Sequence, residues 1–206
     1  MLKLHGFAVS NYFNMVKMAL IEKGIEFEVV ESRPSQEEDF LSRSPMGKVP
    51  CLETDEGFLS ETNVILEYLE EKFDGPSFMP VDPFERAKVR ELMKEIELYI
   101  ELPARTCFAE AFFGGSVTDE VKETAKANLA KGVACLKRKA KFAPYIAGDS
   151  MTYADILFHY SVILAGACSK RVLGTDLLAD MPEAQELSNL LADRDSAKQI
   201  AADQKA

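Results

Sequence analysis

The chain changes its hydrophobic rhythm once, and that change restricts it to a short list of architectures. Up to about Phe73, short stretches of alternating apolar and polar residues are interleaved with helical stripes, whereas beyond Pro83 only helical stripes recur. Leu2 and Leu4 alternate with polar neighbours, a helical run covers residues 11–23 with Gly24 as its C-terminal cap, and residues 25–29 alternate again. Strand, helix and strand in that order predict a parallel pair with a right-handed crossover. Residues 49–54, the turn Asp55-Glu56-Gly57 and the run 58–60 then predict an antiparallel hairpin, followed by a helix from Thr62 to about Phe73. Ile65, Tyr68 and Leu69 lie on one stripe of that helix. The order is β-α-β, then β-β-α.

Asp74-Gly75-Pro76 and Pro80-Val81-Asp82-Pro83 form a proline-rich connection, which divides the chain into expected domains at 1–78 and 84–206. The 206 residues suffice for two small domains, each with its own core. In the second, a helical stripe through Val89, Leu92, Ile96, Tyr99 and Ile100 meets Pro103, where a kink or break is expected. Thr118-Asp119-Glu120 starts a helix with Val121, Ala125, Leu129 and Val133 inward and basic residues toward its C-terminal end. Thr152-Tyr153-Ala154-Asp155 reads as a capping box with Asp in place of Glu, ahead of an inward stripe of Ile156, Tyr160 and Ile163. Pro182 opens what reads as the final helix, bearing Leu187, Leu190 and Leu191, and the last dozen residues are polar enough to fray. The fold class is therefore α/β followed by all-α.

Charge narrows the function. With 34 Asp plus Glu against 24 Lys plus Arg, the net charge of -10 repels a nucleic-acid backbone, and the lysine-rich stretch from Lys131 to Lys141 reads as the solvated face of a helix. No nucleic-acid partner is expected. No apolar run approaches the roughly 18 residues of a membrane span, and the N-terminus carries no leader pattern, so no membrane association and a cytoplasmic location are expected. Cys51, Cys107, Cys135 and Cys168 are widely spaced and the chain has two histidines, a pattern that supports neither a metal site nor a dithiol redox centre.

Three short segments could carry chemistry. Ser10 stands where the first strand meets the first helix. It is a plain N-cap on one reading; on the other, its hydroxyl joins the helix dipole to stabilise an anion. Lys48-Val49-Pro50 begins a strand, where a cis Val49–Pro50 bond would turn backbone groups of Val49 outward toward an extended peptide; the plain alternative is a trans proline at a sheet edge. Ser60-Glu61-Thr62 precedes the third helix, with Thr62 as expected N-cap. Glu61 beside a helix N-terminus could together grip an amino-acid head group, ammonium and carboxylate.

Together these segments resemble a family. The stretches Ser10-Asn11-Tyr12-Phe13-Asn14-Met15-Val16, Ser44-Pro45-Met46-Gly47-Lys48-Val49-Pro50 and Ser60-Glu61-Thr62-Asn63-Val64-Ile65 are similar to the N-terminal domain of cytosolic glutathione transferases of the serine type, in a bacterial-like form. Gly148-Asp149 through Asp155 looks like that family's helix-starting motif in the second domain. The resemblance implies a thioredoxin-like domain followed by a helical bundle, and glutathione as co-substrate, with no metal. It implies detoxifying conjugation to a small hydrophobic electrophile, in a homodimer. It assigns Ser10 to the thiol, with Tyr12 as rival, and Val49 before a cis Pro50 to the cysteinyl backbone. Glu61 and Thr62 fall to the γ-glutamyl group and Lys48 to the glycyl carboxylate. Phe7, Phe108, Phe112 and Phe113 are candidates for lining the electrophile pocket or for ordinary core. The alternatives are a binding or regulatory protein on the same fold and a glutathione-dependent peroxidase.

Overall fold

A computed structural model describes residues 1–205. In chain order the elements are β1 (Leu2–Gly6), α1 (Asn11–Lys23), β2 (Phe27–Glu31), α2 (Glu38–Leu41), β3 (Cys51–Thr54), β4 (Gly57–Ser60) and α3 (Thr62–Lys72). They continue with α4 (Pro83–Ile96), α5 (Leu102–Arg105), α6 (Phe108–Phe112), α7 (Asp119–Lys139), α8 (Tyr153–Cys168), α9 (Pro182–Ala192) and α10 (Asp195–Asp203). Two compact units result: Met1–Ser77 together with the chain from Asp193 onward, and Phe78–Ala192.

The first unit is built on a four-stranded sheet of order β2-β1-β3-β4, with β1 and β2 parallel and the other pairs antiparallel. Helix α1 occupies the expected span because both ends are specified locally. Ser10 caps it in extended conformation, and Gly24 adopts φ 67°, a left-handed geometry that only glycine takes cheaply, so that its N–H reaches the carbonyls of Leu20 and Ile21. Leu4 pairs with Leu52 across the sheet, and both are buried with Ile65, Leu66 and Leu69 of α3 and Met15, Val16 and Met18 of α1. Ten of the thirteen α1 residues are buried, which one sheet face alone would not achieve.

The remaining cover is α10. The expectation placed all of 84–206 in the helical domain and left the last dozen residues frayed; the structure instead folds α10 onto α1, with Ser196, Ala197 and Ile200 buried. Charge pairs hold it. Glu22 accepts from Arg194 Nε at 2.7 Å and Nη2 at 2.5 Å and from the Ser196 hydroxyl, and Lys17 Nζ donates to Asp203 at 2.6 Å. Residue 206 lies outside the described residues.

The second unit is helical. Asp82 caps α4 through bonds from the N–H groups of Phe84 and Glu85, and Pro83 fits the first turn. The kink expected at Pro103 begins earlier, as a π-type turn over Glu97–Glu101. Its cause is legible: Pro103 has no N–H to offer the carbonyl of Tyr99 four residues back. Gly132 of α7 packs against that carbonyl so closely that a Cβ would stand 2.1 Å from it. The inward stripe of α7 is Ala125, Leu129, Gly132 and Leu136, shifted from the expected set. In α8, Ile156 is buried and Tyr160 turns its hydroxyl inward, but the exposed Ile163 yields its place on the inward stripe to Val162, Ala165 and Cys168. The capping box at its start is present: the Asp155 carboxylate accepts from Thr152 N at 2.7 Å, Thr152 Oγ1 at 2.9 Å and Ile146 N at 2.8 Å. The continuous helical run Tyr153–Leu173 has the length and hydropathy at which a helix can cross a bilayer, where none was expected. Here it serves as a core helix, with Asp155 and His159 buried along it.

Candidate functional site

The register of the first unit gathers the three segments at one edge of the sheet. His5 pairs with Cys51, and Cys51 with Ser60. These residues form a row across β1, β3 and β4, strands spaced about 4.8 Å apart. The chain leaves this row through 6–10 from β1, enters it through 48–50 into β3, and leaves it through 61–62 from β4. Ser10, Val49 and Glu61 thus extend from the same end of the sheet.

At Ser10 the local geometry is a tight turn closed by the Ser10 N–H on the Phe7 carbonyl at 3.0 Å. The Ser10 Oγ accepts from Phe13 N at 3.3 Å, so the side chain caps α1 with a lone pair and keeps its own proton to donate elsewhere. The two readings of Ser10 are therefore compatible. The amide of Asn14, one turn on, donates from Nδ2 to the Ala8 carbonyl at 2.8 Å and pins the same turn from inside the helix. Sequence reasoning passed over Asn14; its signal was a short polar amide in the interior of a helix whose neighbours are apolar.

The Val49–Pro50 bond is cis. Pro50 is buried, Val49 half-buried, and the Lys48 side chain exposed while its carbonyl accepts from Ser44 Oγ at 2.8 Å. Next in the chain, the buried Cys51 thiol rests on the Arg43 carbonyl at 3.4 Å, and burial pushes its pKa up to about 11.

At α3 one expectation is corrected. Thr62 is not the N-cap but the first helical residue, buried at 7% exposure; Glu61 holds the cap position and its side chain makes no capping bond. The reason is backbone conformation: Glu61 has φ 70°, an unusual value for a non-glycine residue, and its carbonyl takes the first helical bond from Ile65 N. The Glu61 side chain thus leaves the helix start uncapped by its own carboxylate, which is exposed beside it.

The aromatic candidates separate between the units. In the first, Phe7 is half-buried under the Arg33 guanidinium at 5.2 Å. In the second, Phe108 and Phe112 meet edge to face at 5.0 Å and Phe112 meets Phe113 at 6.5 Å; Phe108 is buried and Phe113 is 79% exposed. Among the described residues Cys51, Cys107 and Cys168 are buried free thiols and Cys135 is a half-buried one. No cluster of three or more His, Cys, Asp or Glu side chains suited to a metal gathers among the described residues.

Known proteins share this sequence and fold. Residues 4–77 match the family model described as glutathione S-transferase, N-terminal domain. A glutathione S-transferase of Pseudomonas putida is 57% identical over 206 residues, covering 100% of this chain and 94% of that protein. The chain belongs to the glutathione S-transferase family. Among solved structures, glutathione transferase F2 of Populus trichocarpa superposes with a TM-score of 0.85 at 22% identity, covering 100% of this chain and 99% of that one, and shows the fold. A glutathione S-transferase of Rhodospirillum rubrum gives 0.77 at 26% identity, over 97% and 91%. The expected thioredoxin-like unit followed by helices, the family and its glutathione transfer, with glutathione as co-substrate, all stand on these findings.

Proposed function

We propose that this glutathione transferase activates its co-substrate through Ser10, whose hydroxyl proton is donated to the glutathione sulfur and holds it as thiolate. One observation carries the reading: the Ser10 oxygen already accepts from Phe13 N at the start of α1, which leaves its O–H as the free donor on the sheet edge that also bears Val49 and Glu61. The backbone of Val49, exposed by the cis bond to Pro50, pairs with the cysteinyl part. The uncapped N–H groups at Thr62, with its hydroxyl, receive the γ-glutamyl carboxylate, and Glu61 its ammonium. Lys48 reaches the glycyl carboxylate.

The energetics are sufficient. A free thiol ionises near ~8.5, and bringing it about two units lower requires ~2.7 kcal/mol of preference for the anion. A helix N-terminus contributes about 0.3–1 kcal/mol and a hydrogen bond to a charged group about 1.5–3. The thiolate sulfur forms a bond to an electrophilic carbon. The thiol proton has by then passed to solvent; in substitution the leaving group departs with its bonding pair, and in addition the π pair of the acceptor's double bond shifts to its far atom and takes a proton from water. Phe108, Phe112 and Phe113 of the helical unit are the aromatic surface we assign to an apolar electrophile, and a detoxifying cytoplasmic homodimer is the setting. A cysteine-driven reduction is disfavoured by Cys51, whose raised pKa keeps it a neutral thiol.

The test is retention on immobilised glutathione and turnover of an activated aryl halide across roughly pH 6 to 9, for wild type, Ser10→Ala and Glu61→Ala. Ser10→Ala lowers kcat near neutrality by about tenfold or more, as expected from loss of ~1.5–3 kcal/mol, and spares affinity. Glu61→Ala weakens affinity. Full activity of Ser10→Ala over that whole range transfers the role to another group, Tyr12 first.

A further inference from the structure

Asn14 makes a poor bargain unless it does something for its neighbours. It lies in the middle of α1 at 1% exposure, among Phe13, Met15, Val16 and Met18, where an apolar residue would pack without cost. Its Oδ1 is buried with no hydrogen-bond partner. A buried acceptor left unmade is a standing penalty. The return is at the other end of the amide, where Nδ2 donates to the Ala8 carbonyl at 2.8 Å. The reverse orientation would set two oxygens against each other at that distance, so the turn itself dictates which end of the amide faces it.

That turn presents Ser10. Ser10 N donates to Phe7 O, Asn14 N donates to Ser10 O, and the Asn14 side chain ties down Ala8 between them. Phe13, whose N–H engages Ser10 Oγ, has its own ring seated on Gly6, where a Cβ would stand 2.2 Å from the ring. The hydroxyl direction is thus set by a short chain of contacts, in which the Asn14 side chain bridges helix and turn. We propose that Asn14 is a positioning residue for thiol ionisation: by holding the Ala8 carbonyl it aims the Ser10 O–H at the glutathione sulfur. The inference rests on the role proposed for Ser10.

The experiment compares wild type, Asn14→Leu and Asn14→Asp. Leu fills the same space without the donor, and Asp keeps the shape, loses the donor and adds a negative charge facing the Ala8 carbonyl. The readouts are the pH dependence of thiolate absorbance of bound glutathione and of kcat/KM with an aryl halide, alongside KM for glutathione and thermal melting. Asn14→Leu raises the apparent pKa of the bound thiol by about half to one unit, a roughly three- to tenfold loss of kcat/KM below that pKa, and Asn14→Asp raises it further. KM for glutathione stays within about twofold and rates converge with wild type at alkaline pH, where every thiol is ionised. A merely structural role predicts a loss equal at all pH values that follows the melting temperature; that result, or unchanged thiol ionisation in both variants, overturns the proposal. If Asn14→Leu does not fold, Asn14→Ala supplies the same comparison. Failure of the underlying reading looks different: Ser10→Ala itself would then leave the ionisation of the bound thiol at its wild-type value.

Discussion

Removing the Asp155 carboxylate tests the core of the helical unit. Its three donors, Ile146 N, Thr152 N and Thr152 Oγ1, lie at 2.7–2.9 Å, and two of them are backbone groups with nowhere else to turn. In Asp155→Ala the two buried N–H groups each lose their acceptor at about 1–3 kcal/mol, within the range for breaking a buried charged network, ~3–5 kcal/mol in all. For a chain of this length each kcal/mol shifts Tm by roughly 2–4 °C, so the melting point falls by about 6–20 °C. Asp155→Asn sharpens the argument. One carboxylate oxygen becomes an NH2 that must face either Ile146 N–H or the Thr152 donors, so an almost isosteric change costs nearly as much as truncation. Burial raises the Asp155 pKa above its ordinary value, against the hydrogen bonds that oppose the rise. A raised folded-state pKa stabilises fully below the unfolded value and loses that contribution as pH climbs through the folded one. The advantage of wild type over Asp155→Asn therefore narrows with rising pH across the carboxylate range. Urea and thermal unfolding followed by circular dichroism measure all three proteins. A loss under ~1 kcal/mol for Asp155→Ala, or a harmless Asp155→Asn, would refute the account of this carboxylate as the keystone of the α8 N-terminus.

Two further perturbations probe the fold around the site. Gly132→Ala drives a Cβ to 2.1 Å from the Tyr99 carbonyl, so α7 must move from the π-type turn; we expect ~2 kcal/mol or more of destabilisation in urea unfolding, against a few tenths for an ordinary helical Gly→Ala in either direction. Glu22 has its pKa lowered: burial pushes it up, but the bonds from Arg194 and Ser196 outweigh burial. Its stabilising contribution is present above the ordinary carboxylate value and disappears as pH falls through the lowered one. Hydrogen exchange in α10 should accelerate on acidification in wild type and be fast at neutral pH in Glu22→Gln, while slow exchange in that variant would show that the apolar seat of Ile200 suffices by itself.

The sequence disclosed what is specified locally. Ser10 and Gly24 bracket α1, Asp55-Glu56-Gly57 turns the hairpin, and Thr152 with Asp155 opens α8; each signal sits within four residues of its effect. What it concealed depends on partners far along the chain. Glu22 meets Arg194 across 172 residues and Lys17 meets Asp203 across 186, and neither pair leaves a trace in periodicity. The polar composition that reads as fraying is what a short helix fastened by charge pairs around a small apolar seat, Ala197 and Ile200, looks like. The stripe of α8 rotated away from Ile163 because that helix is buried on most sides near its start, where period alone discriminates poorly. The cap position of Glu61, expected at Thr62, was hidden for a different reason: a positive φ is ordinarily announced by Gly or Asn, and glutamate announces nothing.

Strain at Glu61 and the orphaned oxygen of Asn14 belong together. Both are local costs that no packing demand explains, and both occur where the chain leaves the row His5, Cys51 and Ser60. Relaxing Glu61 into an ordinary conformation would let its side chain cap α3. Replacing Asn14 by an apolar residue would mend the helix interior and release the Ala8 carbonyl. On the proposed reading, each repair that stability would favour dismantles part of the glutathione site, whereas Ser10 would serve both demands, capping its helix with a lone pair and keeping its proton for the sulfur. If Ser10 activates the thiol as proposed, the cost of the site falls on Glu61 and Asn14, while Ser10 is favoured by the helix it caps.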